Sequence, residues 1–407
     1  MSLPSRNLTL GSKNSNLPEW HVPLSEPGFS LEEVQSLTET LSSGWWTAGP
    51  QTEALEKEFA SRLGIRNAVA VSSGTAALHL AFLALGLKAG EEVVTPSLTF
   101  VAAPNMMLHI GARPVFADVE SLDEPMVSAA TIERALTPDT RGICVMHYGG
   151  HPCRMDEIMA LARKRNLWVI EDAAHAPGAA WQGIPCGKWG DIGVFSFFGN
   201  KNITCAEGGL ATTNSDELAH VLRALRSHGM SSVTWDRFRG HAFSYDVTMP
   251  GFNYRMDDLR ASLLRVQLRS LDSFNALRGE RAEWYRKLLG GDSRLSLPFA
   301  DHGGVAAHHL FTVVLREDIS RDRVMRHMKE QGIQTSVHYP PAHLFSCYRK
   351  MGLPQGGLSD TEELGRRMLT LPLYPGLTRK QVNLVAATLH QAMDAAVQSV
   401  GEITVAR

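Results

Sequence analysis

No apolar run in this chain approaches the ~18 residues that a membrane-spanning helix needs. Its five cysteines, Cys144, Cys153, Cys186, Cys205 and Cys347, form no C-x-x-C pair, which argues against a disulfide framework and against a zinc ribbon. Its sixteen histidines include no H-E-x-x-H set. The closest approach to a metal pair, His308-His309, reads more simply as a helix or strand edge, because adjacent side chains point apart. No metal site is expected. Charge of either sign is not in excess: the formal net charge is −2, which supplies no electrostatic reason for nucleic acid or a membrane surface. The first twenty residues, "MSLPSRNLTLGSKNSNLPEW", are polar and lack the apolar core of a signal peptide. A partly ordered arm over residues 1–21 and a cytoplasmic protein are expected. Internal repeats and low-complexity tracts are missing too.

What is present is an ordinary globular composition, 44% hydrophobic and 20% charged over 407 residues, long enough for two domains. From residue 52 onward, helical and strand-like segments alternate. "TEALEKEFASRLG", "TAALHLAFLALGL", "TFVAAPNMMLHIG", "SAATIERALT" and "MDEIMALARKRN" have helical patterning, and "NAVAVSS", "EEVVTPS", "RPVFADV", "TRGICVMHY" and "LWVIEDAAH" lie between them as strands. That alternation predicts βαβ units and a mostly parallel sheet covered on both faces, with ligands at the carboxyl ends of its strands. A charged helical stretch over 251–290 then changes the pattern, and "HHLFTVVLRE", "SRDRVMRHMKEQG" and a closing helix follow. The expected organisation is a large α/β domain over 22–270 and a smaller C-terminal α+β domain over 271–407. The stretch between Gly229 and Gly251, with Trp235, Arg237, Arg239, His241 and Tyr245, has no period, and long aperiodic stretches in compact domains are often functional.

The stretch "FSFFGNKNITCAEGGL" sets one lysine, Lys201, beside an aromatic run. Most lysines are solvated. Phe195, Phe197 and Phe198 leave little water nearby, and an ammonium buried without a partner costs several kcal/mol or yields its proton. A lysine pushed towards neutrality is a nucleophile. Two further strand ends supply it with company. At "VSSGTAAL" a strand passes through Gly74 into a helix at Thr75, where free N–H groups and the helix dipole favour an anion; Ser-Gly-Thr is equally an ordinary N-cap. At "WVIEDAAHA" Glu171 and Asp172 end an apolar strand before His175, and a carboxylate there either caps a helix or pairs with a cofactor's pyridinium nitrogen. A nucleophilic lysine, an anionic pyridinium partner and a phosphate cradle on one sheet edge are what pyridoxal 5'-phosphate requires. Ser196 adds a hydroxyl for the phosphate, and Phe100 an aromatic face for the ring. Gly208 and Gly209 read as the turn by which the chain leaves the site, and Trp45-Trp46 either line the substrate side or pack.

"SSGTAALHLAFLALGLKAGEEVVTPSLTFVA", "EDAAHAPGA", "GDIGVFSFFGNKNITCAEGGLATTN" and "GFNYRMDDLRASL" resemble, in that order, the pyridoxal-phosphate sugar aminotransferases of the DegT/DnrJ/EryC1/StrS family. The resemblance extends from residue 22 over nearly the whole chain. It implies an aspartate-aminotransferase-like fold (fold type I), with Lys201 as Schiff-base lysine and Asp172 on the pyridine nitrogen. It places His175, where many members carry glutamine, beside the ring hydroxyl. Gly74, Thr75 and Ser196 would hold the phosphate and Phe100 would stack on the ring. Asn253 would reach the phosphate of the neighbouring subunit, which implies a homodimer. His338 and Tyr339, in "SVHYPPAH", match a segment near the substrate. One departure is "TCAEGG", where members commonly have a threonine-glycine pair before Glu207.

The implied reaction moves an amino group from glutamate or glutamine to the keto group of a nucleotide-activated deoxy sugar, with pyridoxamine phosphate (PMP) as intermediate. Related sugar 3-dehydratases replace the lysine with histidine, so Lys201 counts against that branch. Aminotransferases of cyclitol ketones such as inosose, and aminohydroxybenzoate synthases, keep it and remain alternatives. A cofactor-binding regulator would need a DNA-binding module, for which there is no segment or basic patch. No motif identifies the sugar, the carbon aminated, or whether the product enters a cell-surface polysaccharide or an antibiotic.

Overall fold

A computed structural model describes residues 20–397, apart from 232–234, 236–237, 239, 241–243 and 354–356. The expected arm lies almost wholly outside the described residues, as do Arg237, Arg239 and His241. Helices α1 (Leu31–Ser42) and α2 (Pro50–Leu63) precede strand β1 (Asn67–Val71). Then follow α3 (Gly74–Ala84), β2 (Glu92–Pro96), α4 (Ala102–Ile110), β3 (Arg113–Ala117), α5 (Ala129–Ala135), β4 (Thr140–Met146), α6 (Met155–Arg165) and β5 (Trp168–Asp172). A short hairpin, β6 (Ala180–Trp181) and β7 (Ile184–Pro185), leads to β8 (Ile192–Ser196), β9 (Gly209–Thr213) and α7 (Asp216–Arg226).

The seven-stranded sheet has the order β1-β9-β8-β5-β4-β2-β3. All neighbours are parallel except the two pairs that β9 makes. Val69, Val93, Ile143, Val169 and Val194 are buried, as strands covered by helices on both faces demand. The expected β strands and helices between residues 52 and 172 are all present, most of them shortened at their ends, while α2 begins two residues earlier, at Pro50. Strand β9 was not anticipated. Gly209 opens this strand instead of completing a turn. A Cβ on it would lie 2.2 Å from the Ser73 carbonyl, so glycine is required by close approach of two chains.

The stretch over 251–290 is not one helix. Its first residues are extended, Asp257 caps α8 (Asp258–Arg269) through a 2.9 Å bond from the Arg260 N–H to Oδ1, and Ser270 separates α8 from α9 (Leu271–Leu289). Beyond it lie β10 (Leu295–Ser296), β11 (Phe311–Leu315), α10 (Arg321–Glu330), α11 (Ser346–Lys350), α12 (Ser359–Arg367), β12 (Met368–Leu371) and α13 (Arg379–Ala395). Strands β10, β11 and β12 form an antiparallel sheet in that order. Its core joins Tyr285 and Leu289 of α9 to Val313, Met328, Val382 and Leu389. Val22, expected to open the large domain, packs into this C-terminal core and bridges Ile333. A few apolar residues held by a neighbouring sheet outweigh their place in the chain.

Candidate active site

Strand β5 delivers two carboxylates of different character, because successive side chains leave a strand on opposite faces. Glu171 is fully buried and accepts N–H bonds from Gly187 (2.8 Å), Trp189 (2.7 Å) and Gly190 (2.8 Å). His147 Nε2 lies 3.0 Å from its Oε2, while His147 Nδ1 accepts the Cys153 N–H at 3.0 Å, so Nε2 is the donor to Glu171. Glu171 is thereby saturated and pins the loop before β8. Asp172 is also buried, yet Oδ1 accepts one bond, 3.0 Å from the Ala174 N–H. Burial raises its carboxyl above the usual range, opposed by that N–H and by the charge of Lys201. Of the two, only Asp172 has capacity left for a ligand.

Strand β8 ends at Ser196, and Lys201 sits beyond it in a turn closed by its own N–H on the Phe198 carbonyl at 2.9 Å. Phe195 and Phe197 are buried, as expected; Phe198 is 48% exposed, so the aromatic run dries one side of the turn only. Asn202 anchors the turn, donating to the Ala307 carbonyl at 2.7 Å and to Asn275 Oδ1 at 2.8 Å, and lying 2.9 Å from His309 Nδ1. Burial lowers the Lys201 amine from 10.5 to about 8, with the Asp172 carboxylate pulling the other way. Lys201 makes no ion pair with a described residue. Ala206, in the departure noted above, takes φ 69°, a conformation that suits the glycine common in the family and that alanine enters at a cost of about 1 kcal/mol.

The third strand end packs against this turn. Ser73 caps α3 by accepting the Ala76 N–H at 3.1 Å, which leaves the first N–H groups of the helix, those of Gly74 and Thr75, pointing outward. Ser196 lies alongside: a Cβ on Gly74 would come within 2.8 Å of the Ser196 Cβ. Glycine at 74 therefore brings Gly74, Thr75 and Ser196 into one cradle of donors fitted to a phosphate.

Around the mouth, Tyr339 OH and His175 Nε2 share a 3.0 Å hydrogen bond. His175 Nδ1 is buried with no partner among the described residues, and burial, followed by the charges of Lys201 and His338, holds this imidazole well below its ordinary pKa and neutral. His309 packs against it, tilted by 40°, at 4.2 Å between ring centroids. His338 lies 3.0 Å from Thr370 Oγ1 and is lowered to about 4 by burial and by Lys201. Phe100, 53% exposed, turns towards Tyr339 at 5.9 Å. Asn253 is exposed and bridges Ser227, apart from this cluster. Lys201, Asp172, His175, His338 and Tyr339 thus act on one another electrostatically or by direct contact, with Gly74, Thr75 and Ser196 alongside; Asn253 does not join them within one chain.

Sequence reasoning missed Asn202 and His309. The repeat "GNKN" around the lysine was the available signal for the first. His309 is neither at a helix nor at a strand edge: with His308 at φ 51°, it enters from an irregular segment before β11, a placement no pattern encodes. His147 and His151 have the H-x-x-x-H spacing, but they flank a 3-10 turn at Tyr148–Gly150, and His151 stacks on Phe299 at 3.9 Å. Among the described residues no three metal-ligating side chains are grouped to hold a metal, and no helix is long and apolar enough to cross a membrane.

A lysine able to lose its proton, a carboxylate with one face unused and an anion cradle, together on one edge of a mostly parallel sheet, define an enzyme that carries pyridoxal phosphate. The chain belongs to the DegT/DnrJ/EryC1/StrS aminotransferase family, whose model matches residues 29–390; it is a pyridoxal-phosphate-dependent aminotransferase with the fold type I architecture. It is similar to the aminotransferase TlmJ from Streptoalloteichus hindustanus, at 33% identity over 92% of this chain and 99% of that one, with a TM-score of 0.86. It is similar to DesV from S. venezuelae at 35% identity, over 89% of this chain and 94% of that one, with a TM-score of 0.82. Spr1654 from Streptococcus pneumoniae, solved in PMP and PLP forms, matches at 27% identity over 92% of this chain, covering 100% and 99% of the two solved chains, with TM-scores of 0.87 and 0.85.

Proposed function

We propose that this enzyme transfers the amino group of glutamate or glutamine to the keto carbon of a nucleotide-activated deoxy sugar, with Lys201 and Asp172 as its catalytic residues. Bound pyridoxal phosphate supplies an aldehyde that carries the amino group and an electron-poor ring that accepts the electrons left when a carbon–hydrogen bond is broken. The chain supplies the rest. Lys201 Nζ, which burial makes easier to deprotonate than an ordinary lysine, holds the cofactor and moves the proton between substrate and cofactor carbons. Asp172 keeps a proton on the ring nitrogen by charge pairing, which requires a carboxylate with a free oxygen and little water around it. Gly74, Thr75 and Ser196 orient the phosphate, Phe100 covers one ring face, and the unpartnered Nδ1 of His175 has capacity for one more polar contact. Tyr339, held by His175, and His338 stand on the substrate side and limit water.

The observation that carries this reading is the pairing of Lys201 with Asp172 on one sheet edge. Lysine at that position, where the dehydrating relatives carry histidine, favours amination. Asn253 supports a homodimer, because it is exposed in one chain and removed from that chain's own cradle; in this reading it completes the phosphate site of the partner subunit. We further propose that the chain divides near Ser270 into a cofactor-binding domain that ends there and a smaller domain over 271–407, which Val22 joins from the other end of the chain, with α9 as the spine between their cores.

A panel of 3-keto and 4-keto nucleotide sugars and inosose, assayed with glutamate and with glutamine, tests the substrate. Amination of at least one nucleotide sugar in preference to inosose is expected. Turnover of inosose alone would overturn the nucleotide-sugar assignment and leave the aminotransferase in place.

A further inference from the structure

Little packing fixes the side chain of Phe100. It is 53% exposed, and its ring neighbour among the described residues is Tyr339, at 5.9 Å. Its place is therefore set by its backbone, which ends the loop that leaves β2 at Ser97. That loop is held from two sides. On one side the Ser97 N–H donates to the Ala117 carbonyl of β3 at 3.0 Å, and Thr99 Oγ1 lies 3.1 Å from Met146 Sδ of β4. On the other, a segment from the C-terminal part of the chain arrives. The Ala342 N–H donates to the Ser97 carbonyl at 2.8 Å, the His343 N–H donates to Ser97 Oγ at 3.2 Å, and His343 Nδ1 lies 2.6 Å from the same oxygen.

The proton positions follow from these bonds. Ser97 Oγ already accepts the His343 N–H, and the acceptor left for its own hydrogen among the described residues is His343 Nδ1. Nδ1 is thus the bare nitrogen and Nε2 carries the proton, 3.4 Å from Glu362 Oε1. Burial holds this imidazole below its ordinary pKa against the pull of Glu362. Glu362 is itself placed from β3: Asp118 Oδ1 accepts the Thr361 N–H at 2.8 Å and the Thr361 hydroxyl at 2.6 Å, at the start of α12. Hydroxyl, imidazole and carboxylate in that order suggest a nucleophilic triad. Ser97 is fully buried, however, and no substrate reaches its oxygen. The set joins two remote segments instead. Tyr348 strengthens the joint by donating to Asn105 Oδ1 of α4 at 2.7 Å, beside an apolar cluster of Phe116, Ala342, Tyr348 and Leu353.

We infer that His343 is a positioning residue for transamination, which through Ser97 fixes the loop carrying Phe100 and, four residues after Tyr339, mounts both aromatic walls of the site on one clamp. The inference rests on the reading of Phe100 as the cover of the cofactor ring. It explains why a buried imidazole bonds to a serine that precedes the ring-covering residue by three positions.

Two measurements on the full chain freed of cofactor test it: hydrogen–deuterium exchange, and titration with pyridoxamine phosphate followed by tryptophan fluorescence. In His343→Ala and in Ser97→Ala, exchange over residues 98–103 should rise about tenfold while β1 and β12 keep their protection. Phe100→Ala should weaken pyridoxamine phosphate about tenfold, the worth of one aromatic contact, and His343→Ala should weaken it by no more than that. Because His343 acts through Phe100, the double variant should bind no more weakly than Phe100→Ala alone. His343→Asn, whose Oδ1 can accept where Nδ1 did, should recover most of the affinity and the protection. Multiplying losses in the double variant would overturn the inference, as would unchanged exchange over 98–103 in His343→Ala or a rise spread evenly through the chain. If Phe100→Ala weakens binding and His343→Ala does not, the clamp falls and the ring-covering role stands. If Phe100→Ala binds as tightly as the unaltered chain, the ring-covering role falls and the inference with it.

Discussion

Glu171 and Asp172 are chain neighbours with the same charge and nearly the same burial, and they meet opposite fates on the two faces of the sheet. On one face Glu171 receives the Gly187, Trp189 and Gly190 N–H groups together with His147. On the other, Asp172 receives one N–H and looks towards a lysine without an ion pair. Saturation marks a carboxylate that holds the fold together, whereas a buried carboxylate left short of donors has capacity for a ligand. The same contrast separates Arg226 Nη1, which is paired, from its Nε, which has no partner among the described residues.

Substitutions on the two faces should therefore fail in different ways. The largest effect is expected from Lys201→Ala, which should cut amination on the order of 10⁴-fold or more, because both covalent capture and proton transfer pass through one amine. Its melting temperature should hold, since a buried ammonium contributes nothing favourable that alanine lacks; a collapse of the fold would contradict the functional assignment. Glu171→Ala should do the reverse, destabilising the protein by about 3–5 kcal/mol in denaturant titration, as stranding buried partners does. If Glu171→Ala keeps wild-type stability, saturation is not what distinguishes the faces.

A smaller and more specific effect concerns pH. In cofactor-free protein, Lys201 should react with an amine reagent at a midpoint near pH 8. The Asp172 carboxylate favours the ammonium, so Asp172→Asn should move that midpoint below 8; an upward shift or none would show that the two groups are not coupled. The stability effect has a definite sign. The folded amine is depressed to about 8 from 10.5, so between those values the unfolded chain binds more protons and stability rises with pH, a rise that Lys201→Ala should abolish. The smallest effect is expected at Ala206→Gly, where release of the left-handed alanine should be offset by unfolded-state entropy, leaving a gain of about 0.5 kcal/mol at most in thermal melts and no change in turnover. A loss of stability there would show that the alanine is packed rather than strained.

Much of this was legible in the chain because it depends on local pattern. Apolar runs bounded by glycine and polar residues became β1 to β5, and capping residues such as Asp257 and Ser73 stand where helices begin. Lys201, Asp172 and the Gly74 turn could be recognised from residue type at strand ends. Other features depend on contacts between distant segments. Gly209 looks like a turn residue until Ser73 is seen against it, and Val22 looks like part of the first domain until the C-terminal sheet covers it.

The sequence by itself determined the sheet of alternating strands and helices and the lysine, carboxylate and glycine types at its edge, because hydrophobic periodicity and side-chain chemistry are local properties. Only the tertiary structure decided that Glu171 is saturated while Asp172 is not, that His309 rests on His175, and that His343 reaches Ser97. Burial and hydrogen-bond satisfaction depend on which remote groups arrive, and that is settled when the chain packs.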